Sequence, residues 1–176
     1  MIVLKTNREL ALMREACIIS AGALKLAGEA VEPGVTTAEI DKIAYDYIIK
    51  CGAKPNFLNY NGYPATACIS INDEVIHGIP SKKRVIEEGD IVSIDLGAVL
   101  EGFNGDNAAT FAAGAISSEA KRLCDTTKES LFLGIEKAVA GGRIGDIGYA
   151  VQHHCESRGY SVVREFVGHG VGHKLH

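Results

Sequence analysis

An α/β fold, built from a helix–helix–strand unit used twice, is what this sequence of 176 residues predicts. Three observations carry the expectation. Helix-start signals stand ahead of apolar residues at helical spacing, and two stretches alternate with the period of a strand. The order of elements then repeats at an offset of 107 residues, mapping Gly34 on Gly141, Ile40 on Ile147 and Gly52 on Gly159.

The first element opens at Thr6-x-x-Glu9, a capping box in which each side chain satisfies a backbone N–H of the other residue. An alanine-rich helix follows to about Val31, stopped by Glu32-Pro33-Gly34. A second box, Thr36-x-x-Glu39, starts a helix with Ile40, Ile43, Ala44, Tyr47 and Ile48 on one side, closed by Gly52. From Lys54 to Pro80 the chain reads as loop, with a short strand over Ala67–Ile71. Strands are expected over Asp90–Val99 and Asn104–Ala112, a long helix from Ser117-Ser118 to about Val139, and another over about Asp146–Ser157. Tyr160–Val167 reads as a last strand before the glycine-laced tail Gly168–His176. By the repeat, a second hairpin would end near residue ~219. The domain expectation is one catalytic domain over 1–176, incomplete, with a first half of about 1–112 and the start of a second half over about 113–176.

Composition excludes several function classes. A net charge of −4 gives no footprint for direct nucleic-acid binding, and no apolar stretch has the length of a membrane span. The N-terminus lacks the layout of a signal peptide and is expected to be uncleaved. Five cysteines are scattered without a C-x-x-C pair, which favours a reducing cytoplasm over a disulfide framework. Cys17, Cys51, Cys124 and Cys155 are expected as small buried hydrophobes.

The chemistry concentrates in the hairpin. Val92, Ile94, Leu96 and Ala98 form one face of the first strand, and Ser93, Asp95 and Gly97 form the other. A four-residue loop, Val99–Gly102, would put Asp95 directly opposite Asp106 on one face. Two like charges so placed repel unless a cation lies between them. Such a pair could bridge two metal ions about 3.5–4 Å apart. The small neighbours Ser93, Gly97, Asn104 and Ala108 leave room for them.

Histidines supply the second signal. His77 lies in Val75-Ile-His-Gly-Ile-Pro80, and His169, His173 and His176 cluster in the tail. Imidazole beside carboxylate suits Mn, Fe, Co or Zn better than Mg or Ca. His153, His154 and His173 are expected to be structural. No H-E-x-x-H, G-x-S-x-G or phosphate-cradling glycine loop is present.

Taken together, Tyr60-Asn-Gly-Tyr63-Pro, Cys68-Ile-Ser-Ile-Asn-Asp-Glu-Val-Ile-His77-Gly-Ile-Pro, Gly89-Asp-Ile-Val-Ser-Ile-Asp95, Gly102-Phe-Asn-Gly-Asp106 and Val163-Arg-Glu-Phe-Val-Gly-His169-Gly-Val-Gly resemble the type I methionine aminopeptidases. The resemblance runs from the first helix to the last residue. It implies the pita-bread form of an α/β (α+β) fold, with pseudo-twofold halves around two divalent metal ions. Asp95 and Asp106 match bridging metal ligands, and His169 matches a ligand to one metal. His77 and His176 match catalytic histidines, the first touching substrate near the scissile bond and the second polarising its carbonyl. Tyr60, Tyr63 and Cys68 match walls of the pocket for the initiator methionine. Phe57 and Leu175 take further pocket positions, with residue types that differ from the best-known members.

The implied activity is removal of the N-terminal methionine from nascent polypeptides or short peptides, in the cytoplasm and near the ribosome. The family also uses two glutamate ligands from its second half, one of them the general base. Neither Glu156 nor Glu165 matches those positions, so the chain is expected to bind metal weakly and turn over little. The competing expectation is a non-catalytic pita-bread module that grips peptides or proteins. A proline-directed relative is disfavoured by the Tyr-x-Gly-Tyr-Pro segment.

Overall fold

A computed structural model describes residues 4–176. They form two compact units: the chain through Ile116 joined by His169–His176, and Ser117–Gly168.

In the first unit, α1 (Asn7–Glu29) and α2 (Thr37–Lys50) begin where the capping boxes place them. Thr6 Oγ1 accepts from Glu9 N–H at 3.3 Å while a Glu9 carboxylate oxygen accepts from Thr6 N–H at 2.7 Å. Thr36 and Glu39 repeat the arrangement at 3.3 and 2.8 Å. Four strands follow: β1 (Lys54–Pro55), β2 (Ala67–Ile71), β3 (Ile91–Leu100) and β4 (Phe103–Ala112). All pairings are antiparallel. β4 runs the full length of β3, while β2 pairs with Val92–Leu96 and β1 with Ala98–Val99.

The apolar face expected for β3 is the core face. Val92, Ile94, Leu96 and Ala98 are fully buried in a cluster with Ala23, Leu24, Ala27, Ile40, Ala44 and Ile48 of the helices. Burying each larger side chain contributes about 1.5–3 kcal/mol, so this layer holds the sheet flat against α1 and α2. The contact is close where Gly28 meets the Phe111 ring and Gly105 meets the backbone at Ala16, since a Cβ at either glycine would collide. The opposite face of the sheet carries Ser93, Asp95 and Gly97.

The hairpin register differs from the expected one. Leu100 pairs with Phe103, so the connection is a two-residue turn, Glu101-Gly102, with φ of +51° and +80°. Positive φ at both central residues is the turn that matches strand twist. Glu101 conceals it, because the usual sequence signal at that position is Asn, Asp or Gly. Asp95 therefore faces Ala108 and Asp106 faces Gly97. The slip is two residues, an even number, so both aspartates stay on one face as diagonal rather than direct neighbours.

The second unit consists of α3 (Ser118–Lys137) and α4 (Ile144–Ser157). α2 and α4 begin and end 107 positions apart, the offset read from the sequence. The expected strand over Tyr160–Val167 is absent: no strand occurs in this unit among the described residues. Alternation alone does not make a strand, which needs a ladder partner, and Val163, Phe166 and Val167 are exposed. Cys155 is buried as expected, but Cys51 is exposed because it ends α2 and turns with it to solvent.

Candidate metal and peptide site

Asp95 sits mid-strand on β3, flanked by Cys68 of β2 on one side and Ala108 of β4 on the other. Asp106 enters from β4 beside Gly97, whose missing side chain leaves space next to it. The two carboxyl groups are within hydrogen-bonding reach of each other. Burial, and then the charge of Asp106, raises the Asp95 carboxyl to about 7. Burial raises Asp106 too, against the pull of His169. Both shifts run in the direction expected of two like-charged carboxyl groups buried side by side.

The tail brings the imidazoles to this face. His169 Nε2 lies 3.9 Å from an Asp106 carboxylate oxygen, and its ring centroid is 4.4 Å from that of His176. His176 Nδ1 is 3.1 Å from the Tyr60 hydroxyl. Asp95, Asp106, His169, His176 and Tyr60 therefore form one continuous chain of contacts. Tyr60, Leu175 and His176 also line a cavity of about 410 Å³ with Asn56, Val99 and Asn104.

The remaining expected residues divide around this chain. Tyr63 and Cys68 stand at the Asp95 end, where burial pushes both the phenol and the thiol upward. Phe57 is half-buried in the Tyr60 turn, its carbonyl accepting from Tyr60 N–H at 2.9 Å. His77 is apart, exposed on the loop beyond the far edge of β2. His154 bonds Glu129 at 3.0 Å, and His153 stacks on Tyr149, so both are structural as expected. Glu156 pairs with Arg164 at 3.2 Å and Glu165 accepts from Arg164 N–H, neither with a site residue.

What sequence reading missed is how the tail is seated. Gly172 O accepts from Asn104 N–H at 2.9 Å and from Asn104 Nδ2 at 3.0 Å. His173 Nδ1 donates to Gly102 O at 3.0 Å, and its ring packs on Phe103 with centroids 4.0 Å apart. The only available signal was the glycine spacing of the tail, which permits close approach without saying to what.

Among the described residues no three His, Cys, Asp or Glu side chains close into a cation cage. The donors present nonetheless fit a divalent cation. Gly170 O, which can only accept, lies 3.2 Å from His169 Nδ1 and so assigns the proton to that nitrogen. Nε2 is then the nitrogen that faces the Asp106 carboxylate and that a cation would take as its ligand. Two aspartates and an imidazole form an oxygen-and-nitrogen set suited to a borderline transition metal.

Residues 11–176 match metallopeptidase family M24. The chain is 53% identical to a methionine aminopeptidase of Clostridium acetobutylicum over 176 residues, covering 100% of this chain and 70% of that one. It is 47% identical to methionine aminopeptidase 1 of Bacillus subtilis, covering 100% and 71%. The crystal structure of a Thermotoga maritima methionine aminopeptidase superposes with a TM-score of 0.95 at 39% identity, covering 100% of this chain and 71% of that one. A Pyrococcus furiosus prolidase gives 0.87 at 27%, covering 99% and 50%. The fold is the mixed α/β pita-bread fold that these structures share. Matched to that family over residues 11–176 and 53% identical to one of its methionine aminopeptidases along its whole length, this chain belongs to metallopeptidase family M24.

Proposed function

We propose that this chain carries the chemistry of a methionine aminopeptidase, removing the initiator methionine from newly made polypeptides in the cytoplasm. The observation that supports it best is the unbroken run Asp95–Asp106–His169–His176–Tyr60 along one face, read together with relatives named for that activity. Asp95, Asp106 and His169 would hold two divalent ions, of Co, Mn, Fe or Zn. When bound, such ions supply Lewis acidity and a water acidic enough to ionise near neutral pH.

The protein's own groups do the rest. With the Tyr60 hydroxyl donating to His176 Nδ1, the proton of that imidazole resides on Nε2, free to donate to the substrate's carbonyl oxygen. The cavity walled by Tyr60, Val99 and Leu175 receives an apolar side chain, and Cys68, Tyr63 and Phe57 complete the pocket. His77 contacts the peptide near the scissile bond. No helix among the described residues is long and apolar enough to cross a membrane. Partners are peptides with a free N-terminal methionine, met near the ribosome.

Release of methionine from Met-Gly-Ser, with Mn or Co added, tests the reading. Asp106→Asn should weaken metal binding by more than the ~10–100-fold typical of losing a group behind a ligand. Activity should fall with it. Equal metal affinity and equal methionine release in both proteins would remove the metal-site reading and leave a peptide-binding module.

A further inference from the structure

His77 has a left-handed backbone, φ +61°, a region in which residues other than glycine are uncommon, although His, Asn and Asp enter it more readily than the rest. A conformation of that kind persists only where the surroundings impose it. Here they act through the next residue. Gly78 O accepts from Ile69 N–H at 2.8 Å and from the Tyr63 hydroxyl at 3.2 Å. Gly78 N–H donates to Ser70 Oγ at 3.1 Å. A Cβ at Gly78 would collide with the Ile69 carbonyl, so the segment lies flat against the free edge of β2. Both backbone groups of Gly78 are therefore tied, and only two side chains take part.

Of those two, Ser70 locates the segment. It is 4% exposed and pairs with Ser93, two residues along β2 from the Cys68–Asp95 pair. Side chains two apart on a strand share a face, so the Ser70 hydroxyl comes from the carboxylate side of the sheet. The strand under it is fixed as well, since Asp41 accepts from Thr66 and Ala67 N–H at 2.9 and 2.8 Å.

We infer that Ser70 is a positioning residue: by accepting the Gly78 N–H from the carboxylate face, it holds His77 left-handed and at the rim of that face. This rests on the proposed function for His77 as a peptide contact. Replacing the hydroxyl frees Gly78 N–H, relaxes the backbone at His77, and moves the imidazole away from where a peptide would meet it.

Two measurements on the full chain test it. The first is the NMR signature of the His77 backbone, its amide-to-Hα coupling read with its intraresidue amide-to-Hα NOE, because the coupling alone does not separate positive from negative φ. It should change in Ser70→Ala and stay as in the wild type in Ser70→Thr, which keeps the acceptor. An unchanged coupling and NOE in Ser70→Ala overturn the inference. The second is a double-mutant cycle on Met-Gly-Ser affinity by calorimetry. Ser70→Ala should weaken binding roughly tenfold, and should weaken it no further in a His77→Ala background. The same loss in both backgrounds shows that Ser70 does not act through His77 and overturns the inference. If the coupling changes but His77→Ala binds the peptide as the wild type does, the assignment of His77 to the site falls, and the positioning role with it.

Discussion

Leu24 of α1 and Leu131 of α3 stand at equivalent points of the two helix pairs, 107 positions apart, yet one is 8% exposed and the other 55%. The local machinery of the two pairs is nearly the same. Cys51 and Arg158 end α2 and α4, and Gly52 and Gly159 follow with φ of +76° and +86°. After them Ala53 N–H reaches back to Ile48 O, and Tyr160 N–H to Cys155 O, closing equivalent helix ends. Burial separates them. Ser130 and Gly134 of α3 are buried, with Gly134 lying against Val151 and Ile147 of α4, as Ala23 and Ala27 are buried in the first pair. The side that β3 and β4 cover in the first unit is open in the second: Ile135 is 55% exposed where its counterpart Gly28 meets Phe111. Helix ends are made locally and appear twice, while a buried face needs a sheet and appears once.

The comparison breaks most readily at its buried leucine. Leu24→Ala should cost about 2–5 kcal/mol by urea denaturation. Leu131→Ala should change stability by no more than about 0.5 kcal/mol, and equal costs would mean that the two faces are covered alike. Asp41 comes next. Its carboxylate serves the N–H groups of Thr66 and Ala67 where β2 begins, both on buried residues, whereas Gly148, its counterpart in α4, has open space around it. Asp41→Ala should cost about 1–3 kcal/mol for each donor left unpaired. Burial raises the Asp41 carboxyl above its ordinary value. The folded state therefore holds that proton more tightly than the unfolded one, and the associated stability is full below about pH 4. It is lost as pH rises through the raised value, so Asp41→Asn should gain on the wild type over that window, in thermal melts taken at several pH values.

Smaller effects sharpen the comparison at the helix starts. Thr36 caps α2 through its hydroxyl, but its counterpart Arg143 has no acceptor, so only the reverse bond survives, Asp146 accepting from Arg143 N–H at 2.9 Å. Thr36→Ala should cost about 1 kcal/mol, and Arg143→Thr should return up to a similar amount to α4, read by local hydrogen exchange. Gly148→Ala should add about 0.5–1 kcal/mol to the same helix, since a methyl group meets nothing there.

Those same distinctions decide what could be read from the residues alone. Thr6-x-x-Glu9 and Thr36-x-x-Glu39 announce their helices because a cap is made within four residues. The two faces of β3 were legible because a period of two survives an even slip, and so Asp95 and Asp106 share a face although their register was misplaced. The turn at Glu101 was not legible, because its positive φ is imposed by the strands that it joins. Tyr160–Val167 alternates like a strand, but pairing is settled by a partner elsewhere. The seat of the tail on Asn104 and Gly102 joins residues 68 and 71 positions apart. Nothing local encodes it.

That seat has a thermodynamic corollary. Because Ile116 and His169 belong to one unit, everything from Ser117 to Gly168 is an excursion that leaves and returns, and docking the two site histidines closes a loop around it. Closure entropy grows only with the logarithm of loop length, about 0.6 kcal/mol per doubling. Residues inserted in or removed from the excursion should therefore shift occupancy of the docked tail far less than a single change at Asn104, where the tether is fastened.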